Sequence, residues 1–262
     1  MVGAKELIVE MLSAVDQELS VQQLLRAASA FELGESSIRV ALVRLRDRGR
    51  VVGVRRGVYA LGESSRPLHQ RVASWRDGAA LLDAWDGSWL AVSYGELGDR
   101  TQVRHAERAL KLWGFRDLRA RFAVRPHNLS IPLDALRARL GELGLALGPG
   151  AGFLGVLSDL GDEDAHARSL WDDAKLDDAY DEMLEALDSS RRTLASLDLE
   201  DAVRESFVVG REAIRLLVLD PLLPEPLVQA RKRERVRSAM LDYDARGREL
   251  WRRFILAEMR AA

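Results

Sequence analysis

The stretch Ser36-Ser37-Ile38-Arg39-Val40-Ala41-Leu42-Val43-Arg44-Leu45-Arg46-Asp47-Arg48-Gly49 decides how this chain reads. Ile38, Ala41, Leu42 and Leu45 recur at helical spacing, which predicts a helix from about Ser36 to Arg48 with those four residues inward. Gly49 ends it. Upstream, Leu7, Ile8, Met11, Leu12 and Val15 form one apolar stripe over residues 4–15. Ser20 then reads as the N-cap of a second helix, with Leu24 and Leu25 inward and Ala27 and Ala28 allowing close packing. Phe31-Glu32-Leu33-Gly34 breaks the pattern before the third helix. Downstream, Val51, Val52 and Val54, then Arg55-Arg56-Gly57, then Val58, Tyr59 and Leu61 predict a β-hairpin. Three helices followed by a hairpin is the order of a winged helix-turn-helix, here residues 1–64.

The outward side of the third helix carries the chemistry. Ser36, Ser37, Arg39, Val40 and Val43 lie near its start, where a recognition helix meets base edges in the major groove. Arg44, Arg46 and Arg48 are placed for phosphates, and Arg55 and Arg56 occupy the wing tip, within reach of backbone or minor groove. The expected partner is double-stranded operator DNA. The alternative is a winged-helix protein-interaction or sensor module without specific DNA binding, which would not need the outward arginines.

Composition sets the surroundings. The chain has 262 residues, 47% apolar and 31% charged, as in an ordinary globular protein of two or three domains. No apolar run approaches the roughly 18 residues of a membrane span. Lys5, Glu6 and Glu10 interrupt the N-terminal apolar pattern, so no signal peptide is expected and cytoplasmic residence is. Without cysteine there is no disulfide and no thiolate chemistry. The net charge of −2 is unevenly spread: basic between Glu35 and Arg56, acidic from Asp159 to Glu205. That asymmetry suggests separate domains with separate partners.

A polar linker at Gly62–Pro67 leads to an expected connecting helix, about Leu68–Ala84 within residues 65–86. In residues 87–160, Trp89–Ser93, Leu118–Val124 and Phe153–Leu157 read as strands, and Thr101–Trp113 and Pro132–Leu143 as helices. Strands separated by two helices predict a ferredoxin-like α+β domain. Residues 161–262 read as a helical C-terminal domain, with helices from Asp164 onward, over Val203–Leu219 and over Val228–Met259. The expected fold class is therefore α+β, with winged helix, ferredoxin-like middle and helical C-terminus. The apolar positions of the last helix, notably Trp251 and Phe254, exceed what a lone terminal helix should expose, and they point to a homodimer built on the helical domain.

Other motifs carry less. Gly150-Ala151-Gly152-Phe153-Leu154-Gly155 has dinucleotide-loop spacing but precedes a strand-like run rather than a helix, so it reads as a turn. Asp172-Asp173 and Asp177-Asp178 have no companion ligands, and the four histidines are scattered, so no metal is expected. No nucleophile elbow is present; no enzyme activity and no cofactor are expected. Arg119, Arg121 and Arg125 would share a face of one strand. Such a stripe could hold the phosphates of an acyl-coenzyme A, with Trp171 and Tyr180 lining an apolar crevice, or it could pair with the acidic helix around Asp172–Glu185.

The chain also resembles the PaaX family, repressors of phenylacetate catabolism. The similarity runs through Ser37-Ile38-Arg39-Val40-Ala41-Leu42-Val43-Arg44-Leu45 with Arg48-Gly49, and through Trp85-Asp86-Gly87-Ser88-Trp89. It continues in Arg104 to Leu112, Gly114-Phe115, Val124-Arg125-Pro126 and Asp220-Pro221-Leu222-Leu223-Pro224. The family's usual Trp-Pro-Gly segment after the last motif is replaced by Pro226-Leu227-Val228. The resemblance implies a dimeric repressor released from its operator by phenylacetyl-coenzyme A or a related thioester. It also implies a middle domain like the ferredoxin-like nuclease subunit of CRISPR adaptation. Ser93-Tyr94-Gly95 stands where that nuclease keeps an acidic metal ligand, which argues against nuclease activity.

Overall fold

The structure is a computed structural model that describes residues 2–15, 18–95 and 99–256. It is mixed α+β, with two small antiparallel sheets and a helical C-terminal region. In chain order the elements are α1 (Ala4–Val15), β1 (Leu19–Ser20), α2 (Val21–Ser29), α3 (Glu35–Asp47), β2 (Val51–Arg55), β3 (Val58–Leu61) and α4 (Arg66–Ala73). There follow β4 (Trp89–Tyr94), α5 (Arg100–Leu112), β5 (Arg116–Arg119), β6 (Phe122–Pro126), α6 (Leu133–Glu142) and β7 (Gly152–Leu157). The helical region is α7 (Asp164–Arg168), α8 (Asp173–Thr193), α9 (Leu199–Leu219) and α10 (Ala230–Leu256). The last three residues of the terminal helix expected to reach Met259 lie outside the described residues.

Contacts group the chain into two units. The first comprises residues 1–73, 186–212 and 240–262, the second residues 74–185 and 213–239. The helices α8, α9 and α10 therefore each contribute one end to each unit, and 161–262 does not separate as a body of its own.

In the first unit most of the inward positions read from the sequence are buried; Leu25 is half-buried, and the side chain of Val15 lies outside those described. Leu7, Ile8, Met11 and Leu12 of α1 pack with Leu24, Ala27 and Ala28 of α2 and with Ile38, Ala41, Leu42 and Leu45 of α3. Local chemistry fixes the ends. The Ser20 hydroxyl accepts from the Gln23 N–H at 3.2 Å while the Gln23 side chain accepts from the Ser20 N–H at 2.8 Å, a reciprocal capping box on α2. At the end of α3, Gly49 takes a φ of 64°, and the Arg50 N–H returns to the Leu45 carbonyl at 2.9 Å. That left-handed closure satisfies carbonyls the helix leaves open. The β2–β3 hairpin turns at Arg56-Gly57, where Gly57 has a φ of 74°. Its second strand also pairs with β1, and the Val21 N–H donates to the Gly57 carbonyl at 2.8 Å.

Behind the hairpin, Gly62 touches the backbone. A Cβ there would stand 2.0 Å from the Gly49 carbonyl oxygen. Gly62→Ala should destabilise the protein by roughly 1–3 kcal/mol or more, the usual cost of overpacking against an unyielding neighbour. Thermal unfolding followed by circular dichroism checks this.

Trp251 and Phe254 serve the same unit. Phe254 is fully buried. Trp251 lies 6.4 Å from Phe31 in a stacked arrangement and 6.0 Å edge-on from Phe207, centroid to centroid, while Arg26 lies over the Phe254 ring. Phe254 is thus covered within the chain, and Trp251 is partly buried there.

An ion cluster ties α1 to α9 within this unit. Arg211 Nε meets Glu10 at 2.8 Å and its Nη2 meets Glu6 at 3.3 Å. Burial pushes the Glu10 carboxyl up to about 7; Arg211 opposes the shift, and the Glu6 and Glu212 charges add to it. A carboxyl whose folded pKa lies above its unfolded value holds its proton longer in the folded state. Its contribution therefore falls as pH rises from about 4.5 to about 7 and stays flat beyond. In Glu10→Gln that decline in unfolding midpoint should flatten, leaving the variant relatively more stable at pH 8 than at pH 5. A parallel pH profile in variant and wild type would refute it.

The second unit holds a four-stranded sheet in the order β5-β6-β4-β7, with every neighbouring pair antiparallel. Leu90 and Val92 of β4, Ala106, Ala109 and Leu110 of α5, and Leu136 and Leu140 of α6 form its core. Two expectations need correction. The run 118–124 is not one strand: β5 and β6 form a hairpin whose turn includes Arg121 at a φ of 61°. The connecting helix does not run to Ala84 either. It ends at Ala73, and short 3₁₀ turns follow at Ser74–Arg76 and Gly78–Leu81. Gly78 has a φ of 50°, and a Cβ there would meet the Arg237 side chain at 2.2 Å.

Candidate nucleic-acid interface

The candidate surface grows out of the way α3 is buried. With Ile38, Ala41, Leu42 and Leu45 inward, a turn of about 100° per residue puts Ser36, Val40, Val43 and Asp47 on the opposite stripe. Arg39 and Arg46 flank that stripe on one side. Ser37 and Arg44 flank it on the other, with Arg48 just past the last turn. All these residues are exposed, as are Arg55 and Arg56 at the hairpin tip. The first unit therefore brings together Ser36, Ser37, Arg39, Val40, Val43, Arg44, Arg46 and Arg48 on one helix surface. A shallow depression lined by Val21, Arg39, Leu42, Val43, Arg46 and Tyr59 opens beside it.

Two carboxylates sit among these cations, Glu35 within the basic stretch and Glu18 from outside it. Arg39 pairs with Glu35 at 2.6 Å and Arg55 with Glu18 at 3.0 Å. Both pairs are solvent-exposed, where such contacts are worth about 0–1 kcal/mol, so either arginine can exchange its partner cheaply. The i,i+4 spacing of Glu35 and Arg39 was a signal for the first pair. Nothing local signals the second. Chemically, forked guanidinium donors on both sides of the Ser36, Val40 and Val43 positions can hold anionic oxygens on two sides of a groove.

The residues expected to bind an acyl-coenzyme A have different surroundings. Arg119 is exposed and pairs with Glu163. Arg121 lies in the hairpin turn. Arg125 is fully buried, donating to the carbonyls of Trp113, Pro126 at 3.1 Å and Leu222 at 3.4 Å and to Asn128 Oδ1 at 2.8 Å. Trp171 stacks on Trp89, 6.2 Å between centroids. Tyr180 is buried, and its hydroxyl donates to Asp220 at 2.5 Å. That burial and the Asp220 charge push the phenol well above its ordinary range. Asp220 also accepts the Leu222 N–H at 2.7 Å and lies 3.6 Å from Arg233, so the Asp-Pro-Leu-Leu-Pro turn is held by buried polar contacts. The acidic helix finds another partner: Lys232 bonds Asp181 at 2.6 Å and lies 3.9 Å from Asp177.

The glycine-rich run 150–155 leads into β7, with no helix after it to receive a pyrophosphate. Among the described residues no cluster of three or more metal-ligating side chains occurs, and no helix is long and apolar enough to cross a membrane.

These features define a mixed α+β protein whose N-terminal unit presents one arginine-flanked helix and an arginine-tipped hairpin. Residues 6–65 match the PaaX family model, described as PaaX-like protein, and that span contains all ten residues of the candidate interface. No curated protein matches the chain. The uncharacterized protein Rv0674 from Mycobacterium tuberculosis has a similar structure, with a TM-score of 0.56 at 21% identity over 89% of each chain. At that identity the likeness concerns the fold.

Proposed function

We propose that the chain is a DNA-binding transcription regulator that reads its operator with a winged helix-turn-helix formed by α1, α2, α3 and the β2–β3 wing. The observation that carries this reading is the division of α3: every apolar residue of its inner face is buried and every arginine is exposed. The family match over residues 6–65 supports the regulator class. The second unit runs strand, helix, two strands, helix, strand, with the first and third strands central in the sheet. That order supports a ferredoxin-like reading of this unit.

By the resemblance to that family, the protein acts in the cytoplasm as a homodimeric repressor of an aromatic-acid operon. Its signal is then an acyl-coenzyme A such as phenylacetyl-coenzyme A. Fluorescence anisotropy with a duplex from upstream of the protein's own gene, against a scrambled duplex, tests the central reading. Preferential binding that weakens with salt is expected, and release of the duplex by the thioester tests the signal. Equal, negligible affinity for both duplexes would overturn the regulator reading.

A further inference from the structure

Val40 and Val43 are each 49% exposed on α3. Isolated apolar residues on a surface need no explanation. These two share the stripe farthest from the core, and guanidinium groups flank them on both sides. A valine there offers methyl groups and no hydrogen bond. The apolar feature that base pairs present in the major groove is the C5-methyl group of thymine. Guanidinium rails complete the match, because phosphates run along both edges of that groove.

Building on the DNA-reading function proposed above, we infer that Val40 and Val43 are specificity-determining residues that read thymine methyl groups. Arg39 and Arg46 on one side and Arg44 on the other hold the flanking phosphates. Three residues of helix rise about 4.5 Å, and one base pair about 3.4 Å. The two thymines are therefore neighbours or one pair apart in each half-site. Asp47 ends the stripe with a negative charge, which sets the first two turns of α3 as the part that enters the groove.

The test starts from duplexes that the full-length protein enriches from a randomised library. The enriched duplex is resynthesised with uracil replacing one thymine at a time, which removes a single methyl and leaves the pairing edge intact. Two positions per half-site should each weaken wild-type binding roughly fourfold, the value of about 0.8 kcal/mol for one apolar carbon at 1.4 kcal/mol per tenfold. One of the two penalties should vanish in Val40→Ala and the other in Val43→Ala. Both side chains are exposed, and thermal melts matching wild type will verify that the variants fold. If the enriched duplex binds but no uracil weakens it, methyl reading is overturned while DNA reading stands. Penalties that persist unchanged in both variants overturn it equally, by placing the methyls against other residues. If no duplex is enriched, the DNA-reading function fails and takes this inference with it.

Discussion

Arg44, Arg46, Arg55 and Arg56 replaced together by alanine should reduce operator affinity by about three orders of magnitude at about 0.15 M salt. The figure follows from counterion release. Each phosphate neutralised contributes a slope of about 0.9 in log affinity against log salt, or about 0.7 of a log unit at that ionic strength. The salt slope itself should shrink by about 3–4, and random duplexes should lose affinity alongside the operator, because phosphate contacts carry no sequence information. All four side chains are exposed, so the variant should melt as wild type does. An unchanged salt slope would remove α3 and the wing from the DNA surface.

The second large effect lies in the other unit. Arg125→Met should destabilise the protein by about 3–5 kcal/mol. Arg125 is fully buried, and it supplies protons to the Trp113, Pro126 and Leu222 carbonyls and to the Asn128 side chain. Methionine fills similar space but leaves buried acceptors without donors, at about 1–3 kcal/mol each. At about 2–4 °C per kcal/mol the unfolding midpoint should fall by roughly 6–20 °C. Arg125→Lys should recover only a small part, because one ammonium cannot match a planar fork that reaches several acceptors. A midpoint within two or three degrees of wild type for Arg125→Met would show that the network contributes little.

The same residue shows where sequence reading stopped. Arg125 counted as a surface guanidinium because arginine is almost never buried unless its donors are satisfied. Its acceptors lie 12 positions away at Trp113 and 97 at Leu222, beyond any periodic pattern. The stripe of three arginines failed for a related reason. Alternation is blind to a turn without glycine, proline or asparagine, and Arg121 adopts positive φ without any of them. Trp251 and Phe254 looked unpartnered because Phe31 and Phe207 come from elsewhere in the chain.

By contrast, the inner face of α3, the Ser20 cap and the Gly49 stop were legible, since each depends on neighbours within one or two turns. The outward arginines followed once that inner face was known. The ions they meet did not: Glu18 reaches Arg55 across the sheet, from 37 positions upstream.

The first unit is sealed by residues from far downstream in the chain. Arg26 donates to the Phe254 carbonyl across 228 positions of chain, and Arg204 to the Ala30 carbonyl across 174. At a translation rate of about 5–20 residues per second, the segment matched to the family waits roughly 10–40 s for its aromatic cover. During that interval Phe31 has no Trp251 to stack on, and the nascent α1–α3 segment exposes apolar surface that the finished chain hides. Synthesis thus imposes on this protein a period of exposure that a unit complete within its first 65 residues would escape.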